Sequence, residues 1–202
     1  MTNPSPAVRS AGPEPALQLV LAACGRRRQL SALMAQAGPE LAALLALPLR
    51  GLTPPEVPSQ ALAGLHGPEA EVAAGWLAPL PLDPGLPLPA AGSWAEALGA
   101  WRQPCLLLLR HDELDTGRPA AAVALLRYWR APLLGLVQWG GPWCAGERRD
   151  DGLPWLGWLP QRPEPADRAP AAADRDAGPL PGLLDARLSA LLRRRLALLD
   201  SA

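Results

Sequence analysis

Two small groups of side chains in this sequence are of types that do chemistry. Cys144, His111 and Asp112 are the ingredients of a thiol site. In such a site a thiolate attacks, an imidazole lowers the thiol's pKa, and a carboxylate (Asp112, or Asp115 in the same stretch) orients the imidazole. The second group is Arg26, Arg27 and Arg28, directly after Gly25. Three guanidinium groups at the start of a helix would attract an anion through their own charge and through the helix dipole. A plainer reading stands beside each: polar loops with Cys144 incidental, and a basic turn facing water. Asp112, Glu113 and Asp115 have the oxygen ligands that Mg²⁺ prefers, but a solvated loop has the same composition, and no metal site is expected. Cys105, inside an apolar run, reads as core.

The elements that must position these groups follow from the apolar runs. Residues 16–24 (ALQLVLAAC), 105–109 (CLLLL), 133–139 (LLGLVQW) and 153–159 (LPWLGWL) are short and nearly unbroken, as in strands buried on both faces. Residues 72–77 (VAAGWL) read as a further strand, and 49–52 as a short one. Between them lie helical stretches: 27–36, then 40–47 beyond a break at Gly38-Pro39; 59–66 with Ser59 as N-cap; 94–101 opened by a Ser93–Glu96 capping box; and 120–129 with Thr116 or Asp115 as N-cap and Pro119 in the first turn. A helix between two apolar runs implies a right-handed crossover between neighbouring parallel strands. The stretch 78–92 is too rich in proline for an inner strand. In a parallel sheet ligands bind outside the carboxyl ends of the strands. The loops 111–116 and 140–152 both leave such ends, and their rim carries His111, Asp112, Glu113, Asp115, Cys144, Arg148 and Arg149.

The expected architecture is a three-layer α/β domain over residues 16–160, with a mainly parallel sheet of about five strands. A Pro-rich tail precedes it at 1–15, and 161–179 (charge, Pro and Ala without periodicity) reads as a flexible linker. Residues 180–202 form an amphipathic C-terminal helix with Leu184, Leu188, Leu191, Leu192, Leu196 and Leu199 on one stripe. That stripe docks on its own domain, a partner or a membrane surface; the first is expected.

Composition excludes more than it assigns. The nineteen basic residues are all Arg, there is no Lys, Ile or Phe, and twenty-six positions are Pro. The missing types have A/T-rich codons, which reads as the bias of a GC-rich, bacterial genome. Without lysine there is no P-loop lysine, no Schiff base and no pyridoxal-phosphate anchor, and no cofactor is expected. The formal net charge is zero with both signs interspersed, so nothing favours nucleic acid or an anionic membrane. Three scattered cysteines and two histidines suit neither a disulfide framework nor a zinc centre. One alternative concerns Cys24. The run Leu21-Ala22-Ala23-Cys24 has the small-residue pattern that precedes a lipidated cysteine, but its apolar core is short, contains Gln18 and lacks a preceding cluster of positive charge. A strand is the expected reading, and the location expected is the cytoplasm.

The text CLLLL, AAAVALLRYW, PLLGLVQWGG and LPWLGWLP across residues 104–160 resembles the C-terminal half of the dethiobiotin synthetase branch of P-loop proteins. The resemblance covers the central third of the chain and implies a nucleotide-binding α/β fold. The family's phosphate loop and its lysine have no counterpart in residues 25–30, so the resemblance carries the fold and not the activity. The functional expectation is a non-catalytic or degenerate nucleotide-binding-like domain that binds a protein partner or a small anion. The alternatives are a thiol enzyme using Cys144 and His111, and a lipoprotein anchored at Cys24.

Overall fold

The computed structural model describes residues 16–52, 57–67, 75–89, 91–161, 182–185 and 187–200. The expected tail at 1–15 and nearly all of the expected linker lie outside them, as do residues 72–74 of one expected strand. Five strands, β1 (Gln18–Ala23), β2 (Trp76–Pro79), β3 (Cys105–Arg110), β4 (Leu133–Trp139) and β5 (Trp155–Leu159), form one all-parallel sheet in the order β2-β1-β3-β4-β5. Six helices accompany them among the described residues: α1 (Arg27–Leu45), α2 (Pro58–Leu65), α3 (Trp94–Ala100), α4 (Arg118–Tyr128), α5 (Ala145–Asp150) and α6 (Leu188–Asp200).

Alternate side chains of each strand go to opposite faces, so the sheet has two cores. Leu19, Leu21, Leu106, Leu108 and Val137 face α1 and α6. Val20, Ala22, Leu107, Leu109 and Leu136 face α2, α3 and α4. Both faces are covered, which is why the strand sequences are continuous apolar runs rather than alternating ones. This is the three-layer α/β architecture expected. The C-terminal helix docks on its own domain: Leu188, Leu192 and Leu196 are buried against α1 and the sheet, while Leu191 stays exposed. Ser189 donates to the Leu45 carbonyl (3.3 Å) and Arg195 to that of Leu134 (2.6 Å).

Three local expectations are corrected. Gly38-Pro39 does not divide the first helix, because α1 runs through it to a left-handed residue at Ala46. An interior proline costs about 3 kcal/mol of helix propensity. Here it is outweighed by an unbroken buried stripe, Leu30, Leu33, Met34, Ala37, Leu41 and Leu45, that spans the proline. Gly38 also lets the ring of Pro79 in β2 approach: a Cβ there would lie 3.0 Å from it. The second correction concerns α2, which starts one residue early, with Pro58 in its first turn and Val57 at the N-cap rather than Ser59. The third is at the C-terminal helix, which begins at Leu188, not near 182.

Residues just before it do something else. Gly182 and Leu184 bond Trp158 and so lay a bridge along the free side of β5 (Trp158 N to Gly182 O, 2.9 Å; Leu184 N to Trp158 O, 3.1 Å). The stretch read as a short strand at 49–52 is likewise a single bridge, with Pro48 and Arg50 bonded to Leu77 on the free side of β2. Pro79, whose missing N–H would break an inner ladder, sits at the end of that outer strand.

Candidate functional site: a crevice between the first and third strands

The strand order reverses its direction of growth at β1. From there β2 lies on one side, and β3, β4 and β5 succeed one another on the other. The loops after β1 and β3 therefore diverge around a crevice at the carboxyl ends of the strands, the usual position of a ligand in such sheets. A crevice of about 380 Å³ lies there, lined by Cys24, Gly25, Arg26, Asp83, Arg118, Ala121, Ala122 and Leu125. Small-molecule sites begin at about 300 Å³. One wall is apolar, from α4; the rim is charged.

The residues that close it are placed by short-range chemistry. Asp83 follows β2 in an Asp83-Pro84-Gly85 turn. Its Oδ1 accepts from Gly85 N (2.9 Å), an Asx-turn contact, and its Oδ2 accepts from Gly25 N (2.8 Å). One carboxylate thus ties the loop after β2 to the loop after β1. Gly25 has φ +146°, a conformation that suits glycine. Across the crevice Glu113 accepts from Arg118 (3.0 Å) and, through its other oxygen, from Arg110 N (3.4 Å). Thr116 accepts from Arg118 N (3.3 Å) and donates to the Glu113 carbonyl (2.6 Å), so it steadies the entry to α4, whose N-cap position is Gly117.

The sequence-predicted anion group is partly in this crevice. Arg26 lines it as the N-cap residue of α1; Arg27 and Arg28 are exposed in the first helical turn. No side chain caps α1 and no acidic residue lies in its first turn, so three cations stand at the positive end of its dipole.

The predicted thiol group is not assembled. The loops after β3 and β4 do meet: His111 packs so closely on Gly141 (φ +64°) that a Cβ there would lie 2.1 Å from the imidazole. Yet no hydrogen bond joins His111 to Cys144, which is exposed at the start of α5. Asp112 instead takes Arg110 as its partner (Nε to Oδ1, 3.0 Å). Arg148, part of the same expected rim, is buried against Trp155 and paired with Glu147 and Asp151, while Arg149 stays exposed. With Asp112 and Glu113 each held by an arginine, the acidic loop is an ion-pair surface. Among the described residues no group of three or more His, Cys, Asp or Glu is placed to hold a metal ion.

Burial keeps Cys24 and Cys105 in the thiol form. Burial pushes the Cys24 thiol up to about 12, with the Asp83 and Glu113 carboxylates adding to the rise and Arg118 opposing it. Burial alone lifts Cys105 to about 12. Both thiols stay protonated in the fold while the unfolded chain releases its protons from about pH 9. Stability is therefore complete below that pH and declines as pH rises toward 12, where the unfolded state binds fewer protons than the native one. Urea midpoints across this window should fall. At pH 8 a disulfide reagent should titrate one thiol, Cys144, in the native protein and all three after unfolding. His111→Ala should leave the Cys144 rate unchanged; a several-fold drop would reinstate the thiol site.

Asp83 and Arg118 escaped the sequence reading. Asp83 lies in the proline-rich stretch 78–92, yet Asp-Pro-Gly is a turn signal with a carboxylate in position to bond backbone. Cys24 directly follows β1, a strand paired on both sides, so a chain beginning at Cys24 would lack β1. No helix among the described residues is long and apolar enough to cross a membrane. No family model matches the chain, and no curated protein is significantly similar to it.

Proposed function

We propose that the chain is a non-catalytic, nucleotide-binding-like domain of the cytoplasm that binds a small anionic ligand in the crevice between β1 and β3. The observation that carries this reading is the occupation of Gly25 N–H by Asp83. In nucleotide-binding α/β proteins the amides after the first strand cradle phosphate. Here that amide already holds a carboxylate of the chain itself, and no lysine stands behind it. Among the described residues this leaves a triphosphate without a backbone cradle at Gly25, which favours binding over phosphoryl transfer. What remains for an anion is side-chain recognition by Arg26 and by the donors Arg118 keeps beyond its pair with Glu113, with Ala121, Ala122 and Leu125 against the rest of the ligand. The three free thiols suit a reducing compartment.

Thermal unfolding with AMP, ADP and ATP, with and without Mg²⁺, tests this. A ligand at one hundred times its dissociation constant adds about 2.7 kcal/mol, a shift of several degrees at this size. The shift should be independent of Mg²⁺, absent in Arg26→Gln/Arg118→Gln, and unaccompanied by hydrolysis. Turnover of ATP, or no shift with any of the three, would overturn the reading. Asp83→Asn makes the sharper prediction. It removes a negative charge and an acceptor, so the fold should lose about 1–2 kcal/mol while affinity for the anion rises several-fold.

A further inference from the structure

The opposite edge of the sheet, where the strands begin, carries a second constellation. β3 is entered through Trp101-Arg102-Gln103-Pro104 and β4 through Trp129-Arg130-Ala131-Pro132. The two joints have the same conformation. Arg102 (φ +47°) and Arg130 (φ +57°) both stand in the left-handed position that ends a helix, where glycine is the usual occupant. Each is closed by the same pair of backbone bonds: Arg102 N to Gly99 O and Gln103 N to Leu98 O in one, Arg130 N to Arg127 O and Ala131 N to Leu126 O in the other. Because β3 and β4 are neighbours, with Cys105 opposite Leu133, the joints lie side by side, linked by Cys105 N to Pro132 O (3.0 Å).

The result is a groove of about 430 Å³ with Arg102, Arg127 and Arg130 on its rim and Pro132, Leu133 and Pro154 along its floor. Several other arginines of the fold are committed, as Arg110 is to Asp112, Arg118 to Glu113 and Arg148 to Glu147. None of the three groove arginines forms an ion pair within the described residues, and Arg102 makes only a long bond to the Leu199 carbonyl (3.4 Å). Twice, then, the chain places arginine where the backbone favours glycine, and both side chains border one uncompensated groove.

We propose that this groove is a second ligand site, for a small molecule bearing a diphosphate. Three guanidinium groups in one concavity match an oxyanion of two or more charges. Two of them, Arg102 and Arg130, stand at matching positions three residues before the paired Cys105 and Leu133 of neighbouring strands, and guanidinium groups grouped in this way suit two adjoining oxyanion groups better than a single carboxylate. The apolar floor takes the esterified part. This site is independent of the crevice, which lies at the other ends of the strands.

The test is calorimetric titration of the full chain with Mg²⁺-free pyrophosphate at low ionic strength, where exposed charges are least screened. Wild type should bind saturably. Arg127→Gln and Arg130→Gly should each weaken binding by about tenfold or more, about 1.4 kcal/mol, whereas Arg149→Gln, an exposed arginine that lines neither cavity, should bind as wild type. Arg130→Gly separates recognition from folding: glycine relieves the left-handed backbone, so its unfolding temperature should hold or rise while affinity falls. No saturable binding to wild type, undiminished affinity in Arg127→Gln and Arg130→Gly, or an equal loss in Arg149→Gln would each overturn the proposal.

Discussion

Gly99→Ala should destabilise the protein by about 3 kcal/mol, at the upper end of what overpacking costs. A Cβ on Gly99 would lie 1.8 Å from the Trp129 carbonyl oxygen and 2.8 Å from its carbon. The obstacle is backbone, so no rotamer change relieves it. Either α3 or the end of α4 must move, and both are anchored, α3 by buried Trp94, Ala95, Ala97 and Leu98, α4 by Val123 and Leu126. At roughly 2–4 °C per kcal/mol for a chain of this size, the unfolding temperature should drop by about 6–12 °C, with a matching fall in the urea midpoint. The same substitution pushes apart the two arginine joints, so it should weaken any ligand of that groove as well. A loss below about 1 kcal/mol would mean that the two helix ends slide past each other freely.

Gln103→Leu should cost about 2–3 kcal/mol, although leucine is close in size and more apolar. Gln103 is 1% exposed. Its amide nitrogen donates to the Gln18 carbonyl (2.8 Å) and to that of Pro104 (3.2 Å), and its oxygen lies 2.8 Å from His66 Nε2. Those donations orient the amide, so the imidazole must donate from Nε2. Pro104 O keeps a second partner in Val20 N. The Gln18 carbonyl and the His66 ring nitrogen lose theirs, and groups stripped of partners inside a fold carry most of the penalty. His66→Ala, which removes an exposed ring stacked on Trp101, should cost only about 1 kcal/mol. Equal losses in the two variants would locate the interaction's value in the ring stacking, not in the buried amide.

How far the residues alone reveal this molecule depends on the range over which each signal acts. The central strands β1, β3 and β4 are legible because a strand buried on both faces must be apolar at nearly every position, and 18–23, 105–109 and 133–139 contain no polar residue besides Gln18 and Gln138. The pairing of β3 with β4 follows from the helix between their runs and is observed; the place of β1 between β2 and β3 is not legible, since nothing in those runs tells which strand lies beside it. The winding reverses beside β1, so the crevice lies one strand away from the rim that His111 and Cys144 suggested. Pro39 misled for a related reason: propensity is local, whereas the stripe from Leu30 to Leu45 acts through the sheet it packs on. Arg26 was found by charge and position alone. Asp83 was not, because its importance rests on a bond to Gly25, fifty-eight residues away. The paired Trp-Arg-x-Pro joints were visible as text, but their shared left-handed backbone and common groove exist only once β3 and β4 are adjacent.

The bridges at Leu49 and Leu183 also determine what company this protein keeps. A sheet with an open margin can recruit a strand from another molecule, and growth of that kind has no natural stopping point. Here each margin is already occupied by a short piece of the chain's own backbone, bonded at Leu77 on one side and Trp158 on the other. Among the described residues each bridge interrupts the ladder that a second copy would need, so stacking of copies into fibres is disfavoured at both margins, and association falls more readily to helices and side chains, where contacts are finite in extent.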